Sequence, residues 1–147
     1  MRGDMARLRL ALLCLLLVSP AWANPGDTRF MAWNISNFWH VSGQPLRVSE
    51  RGASLIRISS DYDAIRAVIG QIGPDIVGLQ EMGSPQSVRA LFPEAEWGLL
   101  FEGRFQEDLG RGRFSTKDAR NRDIYTAIVW RRGSAKLLRS ENRKSVV

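Results

Sequence analysis

Apolar residues recur in this chain with two different spacings. Between Asp61 and Ile72, Tyr62, Ile65, Val68, Ile69 and Ile72 fall three and four apart, which puts them on one stripe of a helix. Ser60 is the expected N-cap, with Asp61 and Asp63 at the positive helix end. Gly73-Pro74 then stops the helix: glycine takes the left-handed cap and proline cannot continue it. The next stretch, Asp75-Ile-Val-Gly-Leu-Gln-Glu81, is a continuous apolar run ending in a carboxylate. Its β-branched residues predict a strand buried on both faces. A helix, a tight stop and a buried strand make the second half of a crossover unit, which implies an earlier strand. Arg29-Phe-Met-Ala-Trp33, ending at Asn34, is the candidate. Asn34 and Glu81 then converge at the C-terminal rim of a sheet, where α/β folds place their ligands. Two hard oxygen donors there suit half of a Mg²⁺ site; two solvated strand ends are the plainer alternative.

Downstream, Ser84 caps a short helix, with Pro85 in its first turn and Val88, Leu91 and Phe92 as its stripe. Glu96-Trp-Gly-Leu-Leu-Phe101 and Ile124-Tyr-Thr-Ala-Ile-Val-Trp130 read as strands. Arg131-Arg132-Gly133 predicts a turn, and Ala135–Arg139 a returning hairpin partner. Between the strands, residues 102–123 carry six basic and five acidic side chains with few apolar ones, which predicts a mobile, poorly packed loop. Arg104, Arg111, Arg113 and Lys117, interleaved with Phe105 and Phe114, suit a nucleic-acid strand as well as a solvated loop. Residues 35–58 form a long connection in which Arg47, Arg51 and Arg57 have the chemistry to meet a phosphodiester backbone. His40, the only histidine, has no orienting partner nearby in sequence and reads as a surface residue.

Composition changes this picture in three ways. A chain of 147 residues with 44% hydrophobic content holds one globular domain at most. Residues 1–23 have a basic start, an apolar run from Leu8 to Val18 and Ala21-Trp22-Ala23. They predict a cleaved signal peptide and a secreted or periplasmic mature chain, 24–147, without a stable membrane anchor. Cleavage after Ala23 removes Cys14, the only cysteine, and with it any disulfide or thiolate zinc site. Arg2, Arg7 and Arg9 against Asp4 account for part of the formal net charge of +6; the mild basic excess that remains is compatible with a phosphate-bearing partner.

Three blocks carry a resemblance: Phe30-Met-Ala-Trp-Asn-Ile35, Asp75-Ile-Val-Gly-Leu-Gln-Glu81 and Tyr125-Thr-Ala-Ile-Val-Trp-Arg-Arg-Gly133. Together they resemble the N-terminal half of the endonuclease/exonuclease/phosphatase (DNase I-like) superfamily, over roughly residues 29–139. The resemblance implies an α/β fold: a mixed β-sheet with helices on one face, half of a four-layer sandwich. It implies that Glu81 is the metal-binding carboxylate and that Asn34 orients the metal shell or the scissile phosphate. The cofactor would be Mg²⁺, with Mn²⁺ or Ca²⁺ as substitutes, and the substrate a phosphodiester, most readily in nucleic acid. Ser36 stands where some members carry another acid. The family's later blocks, an Asp-x-Asn and a C-terminal Asp-His pair, have no counterpart here, since Asp118-Ala-Arg-Asn121 is one residue too wide and no histidine follows His40. The expectation is therefore a truncated enzyme with one apolar sheet face uncovered. A phospholipid or sugar-phosphate phosphoesterase and a non-catalytic exported binding module are the alternatives.

Overall fold

The helix, stop and strand read from the sequence form the frame of the molecule. In this computed structural model, which describes residues 26–140, β1 (Phe30–Phe38) leads through a two-stranded hairpin, β2 (Val48–Ser49) and β3 (Gly52–Ala53), into α1 (Ser59–Ile72). Then follow β4 (Ile76–Met82), α2 (Pro85–Arg89), β5 (Trp97–Phe101), α3 (Arg104–Gly110), a 3-10 turn at Ala119–Asn121, and β6 (Tyr125–Arg131). The expected signal peptide, 1–23, lies outside the described residues.

Helix α1 starts two residues earlier than Ser60 as cap would require. Ile58 is the N-cap, and its N–H donates to Asp61 Oδ2 at 2.8 Å while the Asp61 N–H donates back to the Ile58 carbonyl. A carboxylate at the third helical position thus does the capping from inside the helix. At the other end Gly73 adopts φ 58°, and its N–H reaches the Ile69 carbonyl at 2.9 Å. Ser84 caps α2 as expected, accepting from the Ser87 N–H at 3.1 Å.

The four long strands make one mixed sheet in the order β1-β4-β6-β5. β1 runs parallel to β4, and β6 runs antiparallel to both of its neighbours, so β1, β4 and β5 all point one way. This order explains one failed expectation. Ala135–Arg139 forms no strand, because β6 is internal and β4 and β5 already occupy both of its edges.

One sheet face is the core. Val77, Leu79, Ala127 and Val129 meet Tyr62 and Ile69 from α1, Val88 from α2, and Leu91, Phe92 and Trp97 after it. The opposite face carries two apolar rows across all four strands: Phe30–Ile76–Trp130–Gly98 and Ala32–Gly78–Ile128–Leu100. Phe30 is 67% exposed and Ile128 45%, so this face is open to solvent. Gly98 is required here by close approach: a Cβ at that position would come within 2.1 Å of the Trp130 indole.

Residues 102–123 correct a second expectation. They are not a mobile loop but a packed one. Phe105 and Phe114 are buried with Trp39, Leu46 and Tyr125 in a second cluster at the site end of the sheet. Buried Asp108 accepts from the Tyr125 hydroxyl at 3.0 Å and pairs with Arg113 at 2.8 Å. Buried Arg122 donates to the carbonyls of Ser115, Thr116 and Pro45, with its guanidinium 4.2 Å from the Trp39 ring centroid. Arg104 is likewise engaged, by Glu102, Asp123 and the Ile124 carbonyl.

Candidate functional site

Asn34 and Glu81 lie side by side at the end of adjacent parallel strands, in a place where both strands leave regular geometry. The register runs evenly from Phe30↔Ile76 to Asn34↔Gln80 and resumes only at Phe38↔Met82, so β1 carries extra residues against β4. Against β6, β4 carries one extra residue between Leu79 and Met82. Such bulges re-aim side chains out of the pleat. Ser36, Asn37 and Glu81, at φ 52°, 53° and 61°, are the non-glycine residues with positive φ among the described residues. Left-handed backbone is costly for residues with a Cβ, about 1–3 kcal/mol each, and clusters where a site needs it. Asn37 donates to the Glu81 carboxylate, and Ser36 to the Asn34 amide that holds it.

That carboxylate is fully oriented. Asn34 Nδ2 donates to Glu81 Oε1 at 2.8 Å. The Asn37 N–H donates to Oε2 at 2.9 Å, and Asn37 Nδ2 to the same oxygen at 3.2 Å. The Asn34 amide has no freedom to turn over, because its Oδ1 accepts from the Ser36 N–H at 2.8 Å. Asn34 therefore grips Glu81 through its nitrogen, and its oxygen is already engaged once. Buried Arg57 props the bulge from behind, donating to the carbonyls of Ile35 and Ser36. Of the three arginines in the 35–58 connection it is the buried one, its guanidinium engaged by these two carbonyls. Arg47 and Arg51 stay exposed on the β2–β3 hairpin.

Two residues escaped the sequence reading. Asn37 had no signal beyond its tolerance of left-handed backbone. Glu102 had one, since it directly follows β5 and so stands at the same rim as Asn34 and Glu81. Glu81 and Glu102 line one pocket of about 340 Å³. Burial opposes the charge on Glu102, but the Arg104 guanidinium and the Thr126 N–H and hydroxyl outweigh it and hold the carboxyl below its ordinary range. Glu81 and Glu102 each accept three hydrogen bonds, one at Oε1 and two at Oε2, so each keeps a lone pair at Oε1.

His40 is not the free surface residue expected. It is half-buried, with Nδ1 at 3.2 Å from Ser87 Oγ and 3.4 Å from Ser84 Oγ, and its ring 4.4 Å from that of Trp39. Burial, and then the nearby Arg122 charge, lower its pKa below 6.5. The unfolded chain thus binds the proton more tightly than the folded one. Stability is expected to be full above about pH 6.5 and to decline as pH falls below it, before the carboxylates titrate. As the only histidine, His40 makes this separable: urea unfolding of a His40→Gln variant should show a flat profile between about pH 7 and pH 5.5. An unchanged slope in the variant refutes the assignment.

Set against known proteins, the chain matches no family model, no curated protein and no solved structure.

Proposed function

We propose that this chain is the N-terminal part of an exported, metal-dependent phosphoesterase of the endonuclease/exonuclease/phosphatase type, acting on phosphodiester bonds in nucleic acid. One observation carries the reading: a carboxylate at the sheet rim, lifted from the pleat by a bulge and held by three amide hydrogen bonds. Structural carboxylates at solvated strand ends need no such arrangement.

The donor set fits a lightly held Mg²⁺. Among the described residues no group of three or more His, Cys, Asp or Glu side chains gathers, so Glu81 would be the main ligand, with Asn34 turned to it through Nδ2 and acting as the residue that orients it. Mg²⁺ commonly takes one or two carboxylates, keeps several waters and completes its shell from substrate phosphate. Bound there, it would neutralise the phosphodiester and stabilise charge in the transition state. Asn34 and Asn37 hold the Glu81 oxygens in position, Arg57 holds the backbone that carries Asn37, and the sheet's open face corresponds to the side on which the resemblance places a second sheet.

A second reading, an exported module that grips a phosphodiester without cleaving it, is favoured by the position of His40. Engaged by two buried serine hydroxyls, it supplies no general base at Glu81.

Mn²⁺ binding to the mature chain, followed by electron paramagnetic resonance, tests the metal site. The Glu81→Gln variant is expected to lose the site, and Asn37→Ala to weaken it by about 10–100-fold, the usual effect of removing a ligand's hydrogen-bond partner. Equal Mn²⁺ affinity in Glu81→Gln would end the metal reading. Hydrolysis of bis(p-nitrophenyl) phosphate that disappears in the same variant distinguishes enzyme from binding module.

A further inference from the structure

The hairpin that interrupts the connection from β1 to α1 has no part in the site described so far. β2 and β3 pair only with each other, through Val48↔Ala53 and Ser49↔Gly52. They enclose an open pocket of about 270 Å³ lined by Asn37, Arg47, Ser49, Arg51 and Ser54, with no carboxylate in its wall. The hydroxyls of Ser49 and Ser54 accept from the Arg51 and Arg47 N–H groups; Ser49 gives its own proton to the Gly52 carbonyl at 3.4 Å, while the Ser54 proton is free to turn toward an anion. The Arg51 guanidinium meets no carboxylate among the described residues. Arg47 meets Asp123 at 3.7 Å, a long contact between half-exposed groups that an anion can displace at little cost. A wall of two guanidinium groups and the Ser54 hydroxyl suits a phosphate, which arginine binds through paired N–H groups.

Asn37 is the link. The same side chain that lines this pocket donates to Glu81. On the other side of the bulge, Trp33, Leu55 and Ile56 line a pocket of about 540 Å³ that also reaches Asn34 and Ser36, with Arg57 and Asp61 in its wall. Aromatic and apolar walls of this kind receive a nucleobase. An apolar slot, a carboxylate and a basic pocket thus follow one another across a single bulge.

We propose that Arg47 and Arg51 form a phosphate clip that holds a single nucleic-acid strand at the phosphate next to the one presented to Glu81, with a base of the same strand in the Trp33 slot. The proposal rests on the phosphodiester reading of the Glu81 site and adds where the substrate is gripped and by what. Recesses on both sides of the carboxylate favour a threaded strand over a flat lipid surface.

The test is binding of a fluorescent single-stranded oligonucleotide to the full mature chain in the presence of a chelator, so that no metal contributes. Affinity is measured against salt for the parent chain and for Arg51→Ala, Arg47→Ala and Arg132→Ala. Arg132 lies just beyond the far end of β6 and controls for loss of one positive charge. Each hairpin variant should bind several-fold more weakly, with the slope of log K against log salt reduced by about 0.7, the counterion release of one single-strand phosphate contact. Arg132→Ala should keep the parental slope. Slopes for Arg51→Ala and Arg47→Ala equal to the parent's overturn the clip even where Mn²⁺ binding at Glu81 holds. Arg51-dependent binding to phosphatidylserine vesicles, with oligonucleotide binding insensitive to Arg51, overturns it in favour of a membrane. Arg51-dependent oligonucleotide binding alongside Mn²⁺ affinity that ignores Glu81 upholds the clip and removes the metal.

Discussion

Phe38→Ala is expected to cost about 3–5 kcal/mol, the range for deleting a fully buried phenyl ring. Phe38 is completely buried, with the Tyr62 ring 5.5 Å away edge-on and the Arg57 guanidinium 5.4 Å from its centroid. Its carbonyl accepts from the Gly83 N–H at 3.0 Å, which rejoins β1 to β4 after the bulge. A domain is stable by about 5–15 kcal/mol in all, so the loss is a large share of the total. The loss reaches the site as well. Phe38 is the anchor that fixes Asn37 in left-handed backbone, and without it the Glu81 oxygens lose two of their three donors. Urea unfolding followed by tryptophan emission measures the stability. A loss below about 1 kcal/mol, with Mn²⁺ binding intact, would show that the bulge is held by something else.

The second large effect concerns solubility. A chain of residues 24–147 should bind a hydrophobic dye and self-associate, because soluble monomers rarely leave contiguous apolar patches of more than a few hundred Å² uncovered. Phe30, Ala32, Ile128, Leu100 and Trp130 make such a surface, with each row crossing all four strands. β1 also ends the sheet, so its outer edge is open to strand pairing. Phe30→Lys combined with Ile128→Thr puts a charge and a hydroxyl on this face without touching the core cluster. Dye fluorescence should fall several-fold and the light-scattering mass should move toward monomer, while the urea midpoint stays close to the parent's. A parent chain that is monomeric and dye-silent would mean that the face is covered in solution.

What was legible in the sequence was what apolar spacing and punctuation encode locally. The stripe from Tyr62 to Ile72, the Gly73-Pro74 stop and the run after Asp75 fixed α1 and β4, and the crossover logic then placed Asn34 beside Glu81. The 102–123 segment hid its order because that order is polar and long-range. Asp108 meets Tyr125, and Arg122 reaches Pro45 across 77 positions of sequence. No local window contains both partners of such a contact, and high charge density then reads as solvation. The bulge hid for a related reason. Period-2 alternation carries from Val77 to Leu79 and then skips to Met82, a slip that only pairing with β6 and β1 makes visible. Asn37 was lost with it. His40 was misread because its partners, Ser84 and Ser87, are more than forty positions away.

The close stacking of Trp130 on Gly98 has an optical consequence. The indole lies flat on the open sheet face, half-exposed, held by a position where no side chain can intrude. Trp39 and Trp97 are buried, so their emission is already that of an apolar interior. Trp130 therefore works as a built-in gauge of what touches this face. Its emission maximum will shift to shorter wavelength when the face is covered, and a Trp130→Phe variant isolates that signal, so occupancy can be titrated without attaching a label.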